Sequence, residues 1–322
     1  MRLYPYKFEA IYKERIWGGR NLQRLFGRDL PAGVRIGESW ELSDIPEGAS
    51  VVANGPNAGR SLTELVSSLG GKLLGRAAAM PDGRFPVLLK LLDAEDILSL
   101  QVHPDASAAR AIGDGAAAKS ECWYILESRG GFIYKGLCPG VTAEQFRRAV
   151  EANQAETVVR RMPVAAGDFH YLPAGVVHAL GAGVVVAEVQ TPSDTTYRVT
   201  DWGRGRETHM EKSMQAIHFD QAGAESCPPA GENVTLLTSE FFTVARRQIN
   251  GAAAVPLPGG RCCALMILKS AGGCEIRHAG SVEPVTSVLA GDTILLPAGL
   301  ESAALVARGL CAWLEITLPE TP

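Results

Sequence analysis

The chain has 322 residues, a formal net charge of −4 and 46% hydrophobic residues. That length buries a substantial core in one large or two modest domains, and the mixed, slightly acidic charge excludes a general nucleic-acid binder, which carries a basic excess. The N-terminal MRLYPYKFEAIYKERIWGGR is charged throughout and lacks the apolar core of a secretory leader, and no run of about 18 apolar residues predicts a membrane span.

A cytoplasmic protein is the expectation that follows. The seven cysteines are odd in number, form no C-x-x-C pair, and include the adjacent Cys262 and Cys263. Free thiols in a reducing compartment are predicted rather than a disulfide framework or a zinc knuckle.

Residues 1–60 alternate short apolar runs with Gly and Pro, and Trp17-Gly18-Gly19-Arg20 and Gly37-Glu38-Ser39-Trp40-Glu41 read as turn–strand junctions. Ser61 and Glu64 form a capping box that opens a short helix through Leu65 and Leu69. The continuous apolar run Phe85 to Leu92 predicts a buried strand. Next comes Ser99-Leu100-Gln101-Val102-His103. In a strand, residues two apart share a face, so Gln101 and His103 line one wall while Leu100 and Val102 pack the other way. Asp105 caps a helical turn that ends at Gly113 to Gly115, and Lys119-Ser120-Glu121 leads into the strand CWYIL. A hairpin-like Arg129-Gly130-Gly131 follows. Thr142 and Gln145 form a second capping box, which predicts a helical region over Thr142 to Met162, divided at Asn153.

The frame G-D-x-x-x-L-P-A-G then occurs twice, starting at Gly167 and again at Gly291. Each copy reads as turn, strand and break, and the repetition predicts two β-sandwich modules of one architecture. The first copy continues to His178, where the second has Ser302. Between the copies lie the strand Val184 to Val189, a polar segment carrying Asp194, Arg198, Asp201, Arg204 and Arg206, a helix from His209 to Ile217, and a linker at Cys227-Pro228-Pro229. The expected division is a catalytic module over 1–225 and a smaller, degenerate one over 226–322.

Gln101, His103, Glu121 and His178 thus fall on strands or strand edges of the first module. Two imidazoles, one carboxylate and a further donor suit a divalent cation with one open position. The remaining histidines, His170, His209, His218 and His278, read as ordinary core or surface residues.

The segments YKERIWGGR, GESWELSD, FPVLLKLLDAEDILSLQVHPD, KSECWYIL, GDFHYLPAGVVHALGAG and EVQTPSDTTYRVTDWGR resemble the type I mannose-6-phosphate isomerases, zinc enzymes of the cupin fold, and in particular their short bacterial members. The resemblance is dense from residue 3 to about 220. It implies a mainly β fold of two cupin-type β-sandwich or jelly-roll modules, with a small helical insertion in the first. It implies one zinc ion per chain on His103, Glu121 and His178, with Gln101 as the fourth ligand in the longer members. Arg198 falls on the family's catalytic arginine, and Lys119 and Lys90 on active-site lysines. Glu188 and Asp194 match acidic residues beside that arginine. The long helical insertion of the larger members is missing.

The implied reaction interconverts mannose 6-phosphate and fructose 6-phosphate. Its chemistry needs a proton carrier, a cation for the developing oxyanion and a phosphate grip. Glu188 is the candidate carrier, with Lys119 an alternative base. Arg198 stabilises the enediolate, and Ser99 and Lys119 hold the phosphate, with Lys90 and Asp194 completing the substrate site. A hydride shift is the runner-up chemistry. An iron-dependent cupin oxygenase and a non-catalytic sugar-phosphate-binding cupin are the alternatives from other classes. The expected partner is a small sugar phosphate, with no nucleic acid or membrane, and the expected state is a monomer or weak homodimer.

Overall fold

The computed structural model describes residues 2–220, 231–279, 285–300 and 302–320. The fold is mainly β, as expected, and consists of open sheets packed face to face. The first module pairs a six-stranded sheet with a five-stranded one. The six run in the order Phe169–Leu172, Glu121–Ser128, Val184–Gln190, Leu88–Ala94, Ile36–Leu42 and Ile11–Gly19. The five run Val159–Pro163, Phe132–Leu137, His178–Leu180, Leu100–Val102 and Tyr197–Thr200. In the second module the larger sheet is ordered Tyr6–Lys7, Thr293–Leu296, Cys263–Ser270, Cys311–Thr317, Thr243–Ile249 and Val234–Thr238. The smaller is ordered Ala253–Pro256, Ala303–Ala307, Cys274–His278 and Val285–Val288.

The two-residue alternation of strands builds three layers of core from these sheets. On Glu121–Ser128, Glu121, Trp123 and Ile125 point between the sheets of the first module. Their neighbours Cys122 and Tyr124 point outward, into a cluster shared with Val244, Ala264, Met266, Leu314 and Ile316 of the second module. The second module does the same: Cys263, Leu265 and Ile267 face its own interior while Ala264 and Met266 face the joint. Both large sheets are therefore covered on both faces, which accounts for their near-continuous apolar runs. Each Leu or Ile buried there contributes about 1.5–3 kcal/mol.

The five-stranded sheet turns Leu100, Val102, Ala179, Tyr197 and Val199 toward helices Ala143–Glu151 and Met210–Ala216, which bring Phe146, Val150 and Ala216 to meet them. Both predicted capping boxes are present, at Ser61/Glu64 and Thr142/Gln145. The helix expected to reach Met162 is shorter. It ends at Glu151, Asn153 takes a left-handed φ of 55°, and Val159–Pro163 is a strand paired with Phe132–Leu137. Local spacing favoured helix, but the β-branched Val159 and the guanidinium of Arg161, 3.8 Å from the centre of the Phe132 ring, are satisfied by that non-local partner.

The predicted boundary at 225/226 and the linker at 227–229 lie outside the described residues. Cys122, Cys138, Cys262, Cys263, Cys274 and Cys311 are free thiols. Among the described residues no helix is long and apolar enough to cross a membrane.

Candidate metal centre and cavity

Register brings the site together. His178 opens its strand opposite Gln101, so the two side chains meet on the inner face of the five-stranded sheet. On the facing sheet Glu121 pairs with Gln190 and Leu172, which points its carboxylate inward. His103 follows directly on Leu100–Val102. Gly175, of the Pro-Ala-Gly break, has φ +86° and donates its N–H to the His103 carbonyl at 2.8 Å. A Cβ on Gly175 would sit 2.4 Å from the His218 ring, so only glycine lets this turn close against the ligand segment.

His103, Glu121 and His178 are at most 1% exposed, and their ligand atoms lie within 4.8 Å of one another. The His103 Nδ1–H donates to the Thr195 carbonyl and the His178 Nδ1–H to the Val176 carbonyl, both at 2.9 Å. A carbonyl only accepts, so both rings carry their proton on Nδ1 and present the Nε2 lone pair to the centre. His178 Nε2 lies 3.1 Å from Glu121 Oε1, and His103 Nε2 lies 3.4 Å from Oε2. Neither carboxylate oxygen receives a hydrogen bond, and His103 Nε2 also lacks a partner. Lone pairs converging with no hydrogen between them repel unless a cation sits among them. The donor set therefore fits a metal ion.

The electrostatics agree. Burial pushes the Glu121 carboxyl up, but the Lys119 ammonium at 3.1 Å outweighs it, and the group stays well below the ordinary carboxylate range. Burial, then Lys119, hold His103 down to about 3, so it is a neutral ligand at physiological pH. Gln101 Nε2 donates to His178 Nε2 at 3.3 Å. A half-turn of that amide would present its oxygen to a cation at the same point.

Above this buried cluster opens a cavity of about 490 Å³. Lys90, Ser99, Gln101, Lys119, Glu188, Asp194 and Arg198, the site candidates other than the three ligands, all line it. Gln101 and Lys119 touch both the cavity and the cluster. A row crosses the large sheet from Trp123 through Glu188 and Lys90 to Trp40. Trp123 Nε1–H donates to Glu188 Oε2 at 2.7 Å. Lys90 Nζ lies 3.4 Å from Glu188 and 3.5 Å from Glu38. Burial, then the nearby Glu121, raise the Glu188 pKa against the pull of Lys90. Glu38 behaves oppositely: burial opposes its ionisation, but Lys90, Arg15 and the Trp40 N–H bring it to about 2. Lys90 remains charged because both carboxylates outweigh its desolvation.

The sequence reading missed Glu38, Arg15 and Arg206, all of which line this cavity. Glu38 had a legible signal, since it stands two residues before Trp40 and shares its face. Of the histidines read as ordinary, His170 and His278 are buried and His218 pairs with Asp105 at 3.0 Å. His209 does more, accepting the Arg198 backbone N–H on Nδ1 at 3.1 Å.

Residues 6–129 match the family model for the phosphomannose isomerase type I catalytic domain. The mannose-6-phosphate isomerase of Streptococcus mutans is 37% identical over 261 residues, covering 77% of this chain and 80% of that one. The mannose-6-phosphate isomerase ManA of Bacillus subtilis is 35% identical over 271 residues, covering 79% and 82%. A crystal structure of the mannose 6-phosphate isomerase from Bacillus subtilis superposes with a TM-score of 0.85 at 30% identity, covering 97% of this chain and 99% of that one. With relatives matched over most of their length and a fold shared from end to end, the chain belongs to the type I mannose-6-phosphate isomerase family.

Proposed function

We propose that this chain is a zinc-dependent aldose–ketose isomerase that interconverts D-mannose 6-phosphate and D-fructose 6-phosphate by proton transfer through an enediolate, in the cytoplasm. The observation that carries the reading is the convergence of the His103 and His178 lone pairs with both Glu121 oxygens beneath a cavity of mixed charge. Two imidazoles and one carboxylate suit zinc with an open position; a zinc ion held there, with Gln101 as the additional donor, would polarise the sugar carbonyl.

The remaining work belongs to side chains. Glu188 takes the C2 proton of the aldose. The electron pair left behind forms the C1–C2 double bond, and the C1 oxygen becomes an oxyanion that is then protonated. Return of the proton to C1, with loss of the C2 hydroxyl proton, gives the ketose. A carboxyl whose pKa is raised by burial both accepts and returns a proton near neutrality. Lys90 holds Glu188 from one side and Trp123 from the other, which fixes its direction. Arg198 supplies positive charge to the developing oxyanion, its planar fork suiting two neighbouring oxygens. Lys119 keeps Glu121 ionised and screens its charge from the substrate. Ser99 and Asp194 bind substrate hydroxyls. Residues 1–225 carry this chemistry, and 226–322 form the degenerate partner module.

A coupled assay with mannose 6-phosphate, run with and without chelator, tests the proposal. Turnover should vanish with chelator and return on adding zinc, and solvent deuterium should enter the product. A metal-replete chain that leaves the sugar phosphate unchanged would end it.

A further inference from the structure

Two buried carboxylates flank one buried ammonium in the cavity wall. Lys90 Nζ stands 3.5 Å from Glu38 Oε2 and 3.4 Å from Glu188 Oε1. Good N–H···O bonds close at about 2.7–3.2 Å. The ammonium is therefore closed on neither carboxylate, and Glu188 Oε1 is buried with no hydrogen-bond partner. The arrangement is nearly symmetric. Trp40 Nε1–H donates to Glu38 Oε2 at 2.8 Å, as Trp123 Nε1–H donates to Glu188 Oε2 at 2.7 Å. The difference lies in the second oxygen. Glu38 Oε1 accepts Arg15 Nε at 2.6 Å, whereas Glu188 Oε1 stays open.

Sheet register sets this balance. Trp40 pairs with Lys90, Lys90 pairs with Glu188, and Glu38 stands two residues before Trp40 on the same face. Lys90 Nζ also lies 5.3 Å from the centre of the Trp40 ring, a second attraction on the side of Glu38. Other charges bear on the pair without bonding Glu188 Oε1. Asp194 and Glu121 act on Lys90, and Glu121 and Lys119 act on Glu188. Arg198 and Arg206 share the cavity. The neighbouring Cys122 thiol is pushed up by burial, then by Glu188 and Glu121, and is neutral. An oxygen that takes a proton from carbon needs an unoccupied lone pair. Without a carboxylate on its far side, Lys90 would close on Glu188 and fill that lone pair.

We propose that Glu38 is a positioning residue for the isomerisation, holding Lys90 back so that Glu188 Oε1 stays free to take the substrate proton. This role rests on the isomerase reading, with Glu188 as proton carrier, and refines it. Glu38 also acts after the transfer. Once Glu188 is protonated and neutral, Lys90 keeps Glu38 as its counterion, so the site never holds an unpaired buried ammonium.

Glu38→Gln keeps the shape and an acceptor for the Trp40 N–H while removing the charge. With mannose 6-phosphate, kcat near neutral pH should fall about tenfold or more, with KM within about threefold and metal content unchanged. The acid limb of kcat should move to lower pH, because an ammonium bonded to Glu188 favours its ionised form. Glu38→Asp, which restores the charge, should recover most of the rate. Carboxyl carbon NMR of glutamate-labelled protein reads the same titration without turnover, the Glu188 signal being the one lost in Glu188→Gln. The downward shift caused by Glu38→Gln should be largely absent when Lys90→Gln is already present. An equal shift with and without Lys90 overturns the proposal, since Glu38 would then act by its field alone. So does a rate loss with the limb unmoved and no recovery in Glu38→Asp, the mark of a merely structural role. If Glu38→Gln loses its cooperative melt, Arg15→Gln, at a half-buried position, carries the comparison. Freed of the arginine, Glu38 should draw Lys90 closer and the Glu188 titration should move to higher pH; no movement, or movement downward, overturns the proposal. A metal-replete wild-type chain that leaves mannose 6-phosphate unchanged defeats the isomerase reading, and the NMR comparison still decides whether Glu38 governs Lys90.

Discussion

The two modules share the order of their central strands and differ in their edge strands and interiors. Placing one Gly-Asp frame on the other aligns Leu172 with Leu296, and the cross-strand partners of those residues are Glu121 and Cys263. His178 aligns with Ser302. Glu188, opposite Trp123, aligns with Glu315, opposite Leu265. The second module keeps that one carboxylate but pairs it with Arg247 at 3.2 Å, and packs its interior with Leu265, Ile267, Ile294, Leu305 and Trp313. The scaffold specifies where an inward side chain will sit but not what it must be. In the first module those positions bury charges that are stable only in pairs or around a cation. In the second they supply ordinary apolar burial. One copy holds the buried charges and the other an apolar interior.

The largest expected effect comes from erasing this difference. His178→Ser gives the first frame the second frame's residue. Metal content should fall from stoichiometric and turnover by about 10³-fold or more; a folded variant that retains a full complement of metal would break the comparison. Next is Arg198→Ala, which should cost about 10²–10³-fold in kcat with metal content unchanged. Loss of metal there would show that the arginine supports the centre instead of the reacting oxygen.

The opposite experiment acts on the second module. Leu305→Ala should cost about 2–5 kcal/mol in denaturant unfolding while kcat per folded molecule is preserved. A large fall in kcat would mean that the two copies do not divide their labour.

The smallest effect concerns pH. His103 has an ordinary value of 6.5 and is held to about 3 in the folded chain by burial, then by Lys119. Above 6.5 both folded and unfolded chains carry it neutral, and stability is at its full value. As pH falls from 6.5 toward 3 only the unfolded chain takes up the proton, so the metal-free protein should lose stability through that window, on the order of a few kcal/mol. Denaturant titrations of metal-free protein at pH 7 and pH 5 measure the slope, and a flat result would sharpen attention on other groups of the first module.

Much of this was legible because it is local. Both capping boxes, the strand with Gln101 and His103 on adjacent same-face positions, and the repeated frame depend on near neighbours in the chain. Features that depend on cross-strand register were not legible. Glu38 becomes part of the site only because Ile36–Leu42 lies beside Leu88–Ala94 in one particular alignment. Arg206 reaches the cavity only because Asp201 turns it back. The strand at Val159–Pro163 was misread as helix because its partner lies on the far side of the capped helix in sequence. Tyr6–Lys7 is too short to show any periodicity, yet it pairs with Leu295 and Ile294, and Lys7 Nζ meets Asp292 at 2.6 Å.

That short strand has a consequence for how the molecule is made. Residues 6 and 7 are synthesised long before their partners at 294 and 295. The segment can bond Ala53 and Asn54 early, but its place at the sheet edge has to wait for the later strand. Only when Thr293–Leu296 has emerged can it close the sheet edge, so the second module's larger sheet is completed by a strand made long before the rest of it.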